Sequence, residues 1–324
     1  MTDPRLAPIT AFAVTVLVLW ALLRPGAARL PLDMPNARSL HGRPVPRLGG
    51  LGVMIGLAAG ALVAGQLGTL MMLALVLAAV SFADDLDGLP VLARLACHAL
   101  ASCAFLAWTY QGQPWWWSTL LFLGIVWMTN LYNFMDGSDG LAGGMALIGF
   151  GAYAAAAWIG REPALAALFA SISAGGAGFL LFNFPPARTF LGDSGSVPLG
   201  FLAGAGGVMG WLLDLWPLWF PLLVFSPFAV DATVTLLKRV ARGELVWQAH
   251  RDHYYQRLVR LGWGHRGTAL AEYGLMLACA TAALFALGLE RSGRVATCVA
   301  AAAVYVALIA AVELVWRARG GVDA

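Results

Sequence analysis

The chain has 324 residues, of which 60% are apolar and only 11% charged, with a net charge of +3 and a mean hydropathy of +0.76. A soluble domain carries about 25% charged residues, so the composition excludes a water-soluble globule. The small net charge gives no ground for a nucleic-acid partner.

A membrane-spanning helix needs about 20 apolar residues, and eleven segments meet or approach that length: 6–24, 48–66, 68–83, 91–110, 117–134, 141–160, 163–183, 196–213, 217–237, 266–288 and 294–316. Their length and the lack of alternating polarity predict helices rather than a barrel. The first segment lacks a basic flank and a cleavage site and is read as a retained span. The expected fold is therefore an all-α polytopic membrane protein forming a single catalytic domain, 1–324, with an arm at 238–265. With eleven spans, all Lys and Arg except Arg5, Arg161, Arg291 and Arg294 fall on one side. That bias places this side in the cytoplasm. Cys97, Cys103, Cys279 and Cys298 lie inside spans at spacings that fit neither zinc nor disulfides, so they read as packing residues.

In chain order, the first cytoplasmic loop is basic and turn-rich ("PNARSLHGRPVPRLGG"). The third span ends in "ADDLDG", where Asp84 and Asp85 stand side by side at the hydrocarbon boundary. Adjacent carboxylates there repel one another unless a cation holds them. Mg²⁺ prefers one or two carboxylates, with water and substrate phosphate completing its shell. Asp87 and Asp214 read as ordinary helix-end charges. Arg94 lies one or two turns beyond the acidic pair.

"NLYNFMDGSDG" adds Asn133 and Asp136, three residues apart on one helical face, and Asp139 between Gly137 and Gly140. "FLGDSGS" repeats the device with Asp193, followed by a helix expected from Ser196. In both loops a helix N-terminus would point its N–H groups at an anion. Alone, each loop is ordinary turn chemistry; two of them beside a carboxylate pair indicate a metal–pyrophosphate site. Arg188 lies five residues before Asp193.

In "KRVARGELVWQAHRDHYYQRL", His250 and His253 are at i and i+3, so one helical face can carry both. Val246, His250, His253 and Arg257 follow one helical spacing and Tyr254, Leu258 and Leu261 another, which predicts an amphipathic interfacial helix. His98, mid-span, reads as an interior hydrogen-bonded residue, and Asp231 as a buried acid paired with a neighbouring helix or with a cation near the site. His41 and His265 carry no assignment. On the opposite side, "QGQPWWWS" and "DLWPLWFP" read as interfacial anchors.

These clusters, in this order, resemble the polyprenyl-phosphate N-acetylhexosamine-1-phosphate transferases, from "PNARSLHGRPVPRLGG" to "HRDHYYQRLVRLGWGHR". The resemblance implies transfer of the sugar 1-phosphate of a UDP-N-acetylhexosamine to undecaprenyl phosphate with release of UMP, at the cytoplasmic face of the bacterial inner membrane. The implied cofactor is Mg²⁺, with Mn²⁺ as a substitute, and the implied assembly a homodimer. By motif position, Asp193 matches the principal metal ligand and Asp85 stands with it. Asp84 and Asp85 match the pair of which one carboxylate helps deprotonate or position the lipid phosphate. Asn133, Asp136 and Asp139 match the nucleotide and metal motif, Phe190 an aromatic that packs on uracil, and Asn183 an asparagine of the same pocket. Arg94 and Arg188 are the phosphate-binding candidates. His250 and His253 fall in the histidine motif as a pair. That motif departs from the common "H-x-H-H-R-L", because Tyr255 and Gln256 stand where further histidines occur. The text here resembles the O-antigen-initiating branch.

Two other readings compete. An intramembrane prenyltransferase acting on prenyl diphosphates would share "DDLDG" but gives "FLGDSGS" no role. A transporter would place charges near the midplane, where Asp231 alone qualifies.

Overall fold

The computed structural model describes residues 3, 5–24, 31–35, 40, 42–111, 114–245 and 250–319. Arg29, Arg38, His41, Val246 and the last five residues of the tail lie outside them. The chain forms α1 (Leu6–Leu22), β1 (Leu32–Asp33), β2 (Val45–Pro46), α2 (Gly49–Val63), α3 (Thr69–Asp87), α4 (Val91–Thr109) and α5 (Trp115–Phe134). Then come α6 (Leu141–Ile159), α7 (Pro163–Asn183), α8 (Asp193–Leu212), α9 (Trp219–Val224) and α10 (Ser226–Ala241). Last are α11 (Tyr254–Leu258), a π-helical turn (Val259–Trp263), α12 (Gly264–Leu287) and α13 (Arg291–Ala318).

Among the described residues, seven helices are long and apolar enough to cross a membrane, the run from α11 through α12 counting as one, and α1 and α2 are apolar but shorter. The protein is an all-α polytopic membrane protein. Each of the eleven apolar segments coincides with a helix, the ninth broken into α9 and α10. Pro227 follows the break, and Ser226 Oγ donates to Leu223 O at 2.6 Å, satisfying a carbonyl that the interrupted helix leaves unpaired. Without water nearby, such a group would cost several kcal/mol. The four cysteines are free.

Helix α8 sits at the centre: 78% of its membrane-length window is buried, against 28% for α3 and none for α13. Helices α3 and α5 pack along α8, α6 pairs with α7, and α1 lies against α2 and α7. Packing without a hydrophobic drive between helices relies on small residues that let backbones approach, and α8 supplies Gly195, Gly200, Gly204 and Gly207.

Three expectations are corrected. Helix α3 runs on through Asp87, so Asp84 and Asp85 belong to its final turns rather than to a loop. Helix α8 begins at Asp193 itself, not at Ser196. The expected interfacial helix of the arm is reduced to α11, because His250 and His253 precede the helix and Gly262, at φ 95°, ends the turn after it.

The first loop forms a small ribbon in which β1 pairs antiparallel with β2. The ribbon carries a second segment: Phe190 N donates to Pro46 O at 2.8 Å, Gly49 N to Phe190 O at 2.8 Å and Gly50 N to Leu191 O at 2.7 Å. These bonds bring the N-terminus of α2 against that of α8. A Cβ added at Gly50 would lie 2.4 Å from Gly195 N, which is backbone and cannot swing aside. Gly50→Ala is therefore expected to push α2 off α8 and destabilise the protein by about 1–3 kcal/mol, the usual cost of overpacking. A lowered thermal midpoint in detergent, with a normal midpoint for Gly68→Ala, where nothing lies near the added carbon, checks this.

Candidate functional site

The end of α3 meets the start of α8. Asp85 Oδ1 accepts from Asp193 N at 3.3 Å and Oδ2 from Ser194 N at 3.0 Å. A carboxylate thus caps the first turn of the central helix, where orphan N–H groups and the helix dipole favour negative charge. Gly192 makes room for it: φ is +72°, and an added Cβ would stand 2.9 Å from Asp85 Oδ2. Arg94, on α4, joins the other two acids, its Nη1 lying 3.3 Å from both Asp84 Oδ2 and Asp193 Oδ2. Asp84 also accepts from Leu89 N through Oδ1. Asp84, Asp85 and Asp193 are therefore brought together.

Asp136 joins them from the 135–140 loop by accepting from Gly192 N–H. Burial first, then the charges of Asp193 and Asp85, push its carboxyl well above the usual carboxylate range, against the opposite pull of Arg47. Asn133 Oδ1 accepts from Ser196 Oγ at 3.1 Å, tying α5 to the first turn of α8.

Asp139 and Asn183 are also drawn in, as staples between loops. Asp139 Oδ2 accepts from Ala187 N at 2.9 Å. Asn183 Oδ1 accepts from Gly140 N at 2.8 Å, and its Nδ2 donates to Thr189 O at 2.9 Å. Phe190 is placed by its backbone bonds to Pro46 and Gly49. Arg188 is not brought to the carboxylates. Its side chain is exposed, donates to Leu181 O at 3.1 Å and lies over the Phe182 ring, because the segment turns outward there.

His265 ties the 135–140 loop to Leu40. Its Nε2 faces the Leu40 carbonyl at 3.1 Å and must donate, so Nδ1 is the acceptor for Ser138 Oγ at 2.8 Å.

The histidine arm is organised by Asp231. This buried carboxylate accepts from Tyr254 N and Tyr255 N, both at 2.9 Å, and faces His253 Nδ1 at 3.2 Å. Because a carboxylate only accepts, Nδ1 is the donor and Nε2 is the nitrogen left for other work. The His253 ring stacks on Phe134, at 6.4 Å between centroids, beside the Asp136 loop. His250 lies 4.9 Å from His253, ring to ring. The arm thus holds the two histidines together in extended chain, not on a helical face.

Arg47 carries no site assignment in the sequence, and Asp231 is read there only as paired with a neighbouring helix or with a cation near the site. Arg47 donates to Asp33 at 2.6 Å and stands 4.0 Å from Asp85 Oδ1. Its signal was only an Arg two residues ahead of a glycine-opened helix. The signal at Asp231 was a carboxylate inside an apolar segment, a default functional marker.

As to a metal, no group of three His, Cys, Asp or Glu side chains among the described residues is arranged to hold one. The donors do fit Mg²⁺, which takes one or two carboxylates and fills its remaining positions with water and phosphate. Asp193 is the more open donor at 25% exposure, against 2% for Asp85.

Burial, then His253 and Arg239, push His250 down to about 4 from the ordinary 6.5. Between those values the unfolded chain binds the proton and the folded one does not, so stability falls as pH drops through this window. His250→Gln should flatten that decline, and melting curves of both proteins from pH 7 to pH 4 check it.

The family described as Glycosyl transferase family 4 matches residues 67–210. A probable undecaprenyl-phosphate N-acetylglucosaminyl 1-phosphate transferase of Bacillus subtilis is 28% identical over 298 residues, 84% of this chain and 83% of that protein. A decaprenyl-phosphate N-acetylglucosaminephosphotransferase of Mycolicibacterium smegmatis is 31% identical over 316 residues, 82% of this chain and 77% of its own. A phospho-N-acetylmuramoyl-pentapeptide-transferase of Oceanobacillus iheyensis is 36% identical over 155 residues, 46% and 45% of the two chains. The matched region runs from just before α3 to the end of α8 and so contains every carboxylate that Arg94 and Asp85 gather. By sequence and by the motifs that build this cluster, the chain belongs to the polyprenyl-phosphate N-acetylhexosamine-1-phosphate transferase family.

Proposed function

We propose that this protein transfers N-acetylhexosamine 1-phosphate from a UDP-sugar to undecaprenyl phosphate and releases UMP, starting a lipid-linked cell-surface polysaccharide such as O-antigen. The site would face the cytoplasm, where the UDP-sugar arrives from water while the lipid phosphate lies at headgroup level. The observation that carries this reading is the junction of α3, α4 and α8. Four carboxylates, Asp84, Asp85, Asp136 and Asp193, crowd one helix N-terminus, with Arg94 and Arg47 among them.

The reaction brings three phosphates together, and their mutual repulsion is much of its barrier. Arg94 and Arg47 offer guanidinium donors to that charge, and neither need be reorganised during reaction. Mg²⁺, held by Asp193 with Asp85 or Asp136 and by the substrate, would supply charge neutralisation and Lewis-acid polarisation there. Asp84, held by Leu89 N and Arg94, would orient or deprotonate the lipid phosphate. His253, fixed through Nδ1 by Asp231, keeps Nε2 for other partners and would use it on the pyrophosphate. The simplest route is in-line attack by a lipid-phosphate oxygen on the β-phosphorus. The P–O bond to the new lipid forms as the bond to UMP breaks, and UMP departs with the electron pair.

The relatives matched over most of the chain are named for N-acetylglucosamine donors, whereas the pentapeptide transferase aligns over about half. That coverage favours a simple N-acetylhexosamine over a peptidyl sugar, and a UDP-N-acetylglucosamine-type donor first.

The test is transfer by purified protein from a panel of labelled UDP-N-acetylhexosamines to undecaprenyl phosphate. Labelled lipid and stoichiometric UMP are expected, lost with EDTA and restored by Mg²⁺ or Mn²⁺. Lipid product formed from prenyl diphosphate without any UDP-sugar would sink the proposal. Asp193→Asn should lower turnover by about 10³-fold or more, the scale of losing a main electrostatic stabiliser, with the fold intact by melting temperature. A chiral β-phosphate should emerge inverted; retention would require a covalent aspartyl-phosphate instead.

A further inference from the structure

Away from the carboxylate cluster, the cytoplasmic-side end of α13 gathers cations from two chain segments around one indole. The guanidinium carbon of Arg257, on α11, stands 5.3 Å from the Trp316 ring centre, and that of Arg260, in the π-helical turn, 4.9 Å. Arg319 reaches back and donates to Leu261 O at 2.8 Å. Glu313, the acid at this end of α13, is shared by Lys238 at 2.7 Å, Arg257 at 2.9 Å and Arg317 at 3.8 Å. Three cations on one carboxylate leave the cluster positive. A topology signal requires only that basic residues occur on one side; it does not require them to converge.

The surroundings are apolar. Helix α13 has no buried residue along its length. Leu314 and Trp263 are 70% and 54% exposed, and the Arg317 side chain beside them is 81% exposed. A ligand that suits the place carries negative charge at one end and hydrocarbon at the other. Basic pockets beside membrane helices hold such headgroups.

We propose that the Arg257–Arg260–Trp316–Arg317–Arg319 cluster is a binding site for the phosphate headgroup of an anionic bilayer phospholipid, separate from the transfer site. The lipid phosphate lies against the guanidinium groups of Arg260, Arg317 and Arg319, with Arg257 buried behind them, while its acyl chains run along the uncovered face of α13. Because α11 begins immediately after His253, a lipid held here steadies the arm from outside the reaction centre.

Native mass spectrometry of the full-length protein in detergent, titrated with phosphatidylglycerol or phosphatidylcholine, tests this. Phosphatidylglycerol should be retained preferentially. The double variant R317Q/R319Q should lose about thirtyfold in affinity, at about fivefold per guanidinium near a surface, and R317K/R319K should keep the preference. Equal retention of the two lipids overturns the proposal, as does undiminished binding by R317Q/R319Q or lost binding by the lysine pair. Displacement of phosphatidylglycerol by equimolar undecaprenyl phosphate also overturns it, since the site would then belong to the substrate. None of these readings depends on turnover, so they separate this site from the proposed activity.

Discussion

The contact between the Asp85 carboxylate and the first amides of α8 fixes everything else in the site. Helix α8 is the most deeply buried membrane-length helix described, and its N-terminus carries orphan donors that need an acceptor. By supplying one from the last turns of α3, the chain locks two helices at a defined height and sets Asp193 beside Asp84. The cap also concentrates negative charge. Arg94 and Arg47 compensate part of it, and burial first, then the charges of Asp193 and Asp85, raise the Asp136 carboxyl beside them.

Asp231 performs the same operation at a smaller helix. It caps α11 with both oxygens and orients His253 with one of them. The acid that looked most like part of a transport pathway is thus consumed by three local partners and a fourth from Thr235. The transporter reading loses its one supporting feature.

Much of the fold was legible. Eleven apolar runs became helices because segment length in a membrane is set by bilayer thickness. The acidic motifs were legible because carboxylates beside hydrocarbon have few uses. What could not be read was which acid does what. The sequence reads both Asp85 and Asp193 as metal-side acids, and only the docking of α3 on α8 makes one a cap and the other the open donor. Arg188 seemed well placed by spacing, yet the turn after Asn183 aims it outward. The arm misled for a different reason. Its helical spacing was genuine over Tyr254–Leu258, but the carboxylate cap at Asp231 starts the helix after His253 and leaves the histidines extended.

The two sides of the site are fastened by different means. Loops 135–140 and 184–192 are riveted to each other and to the N-terminal segment by Asp139, Asn183 and His265. The described part of the histidine arm is held by carboxylates at several points: Asp231 takes His253 and the first amides of α11, Asp252 takes Arg239 at 2.6 Å, and Glu313 takes Arg257 at 2.9 Å. The loops are held by side chains on backbone groups, whereas the described part of the arm depends on the carboxylates Asp231, Asp252 and Glu313, so dissolved salt reaches the fastenings of the arm first.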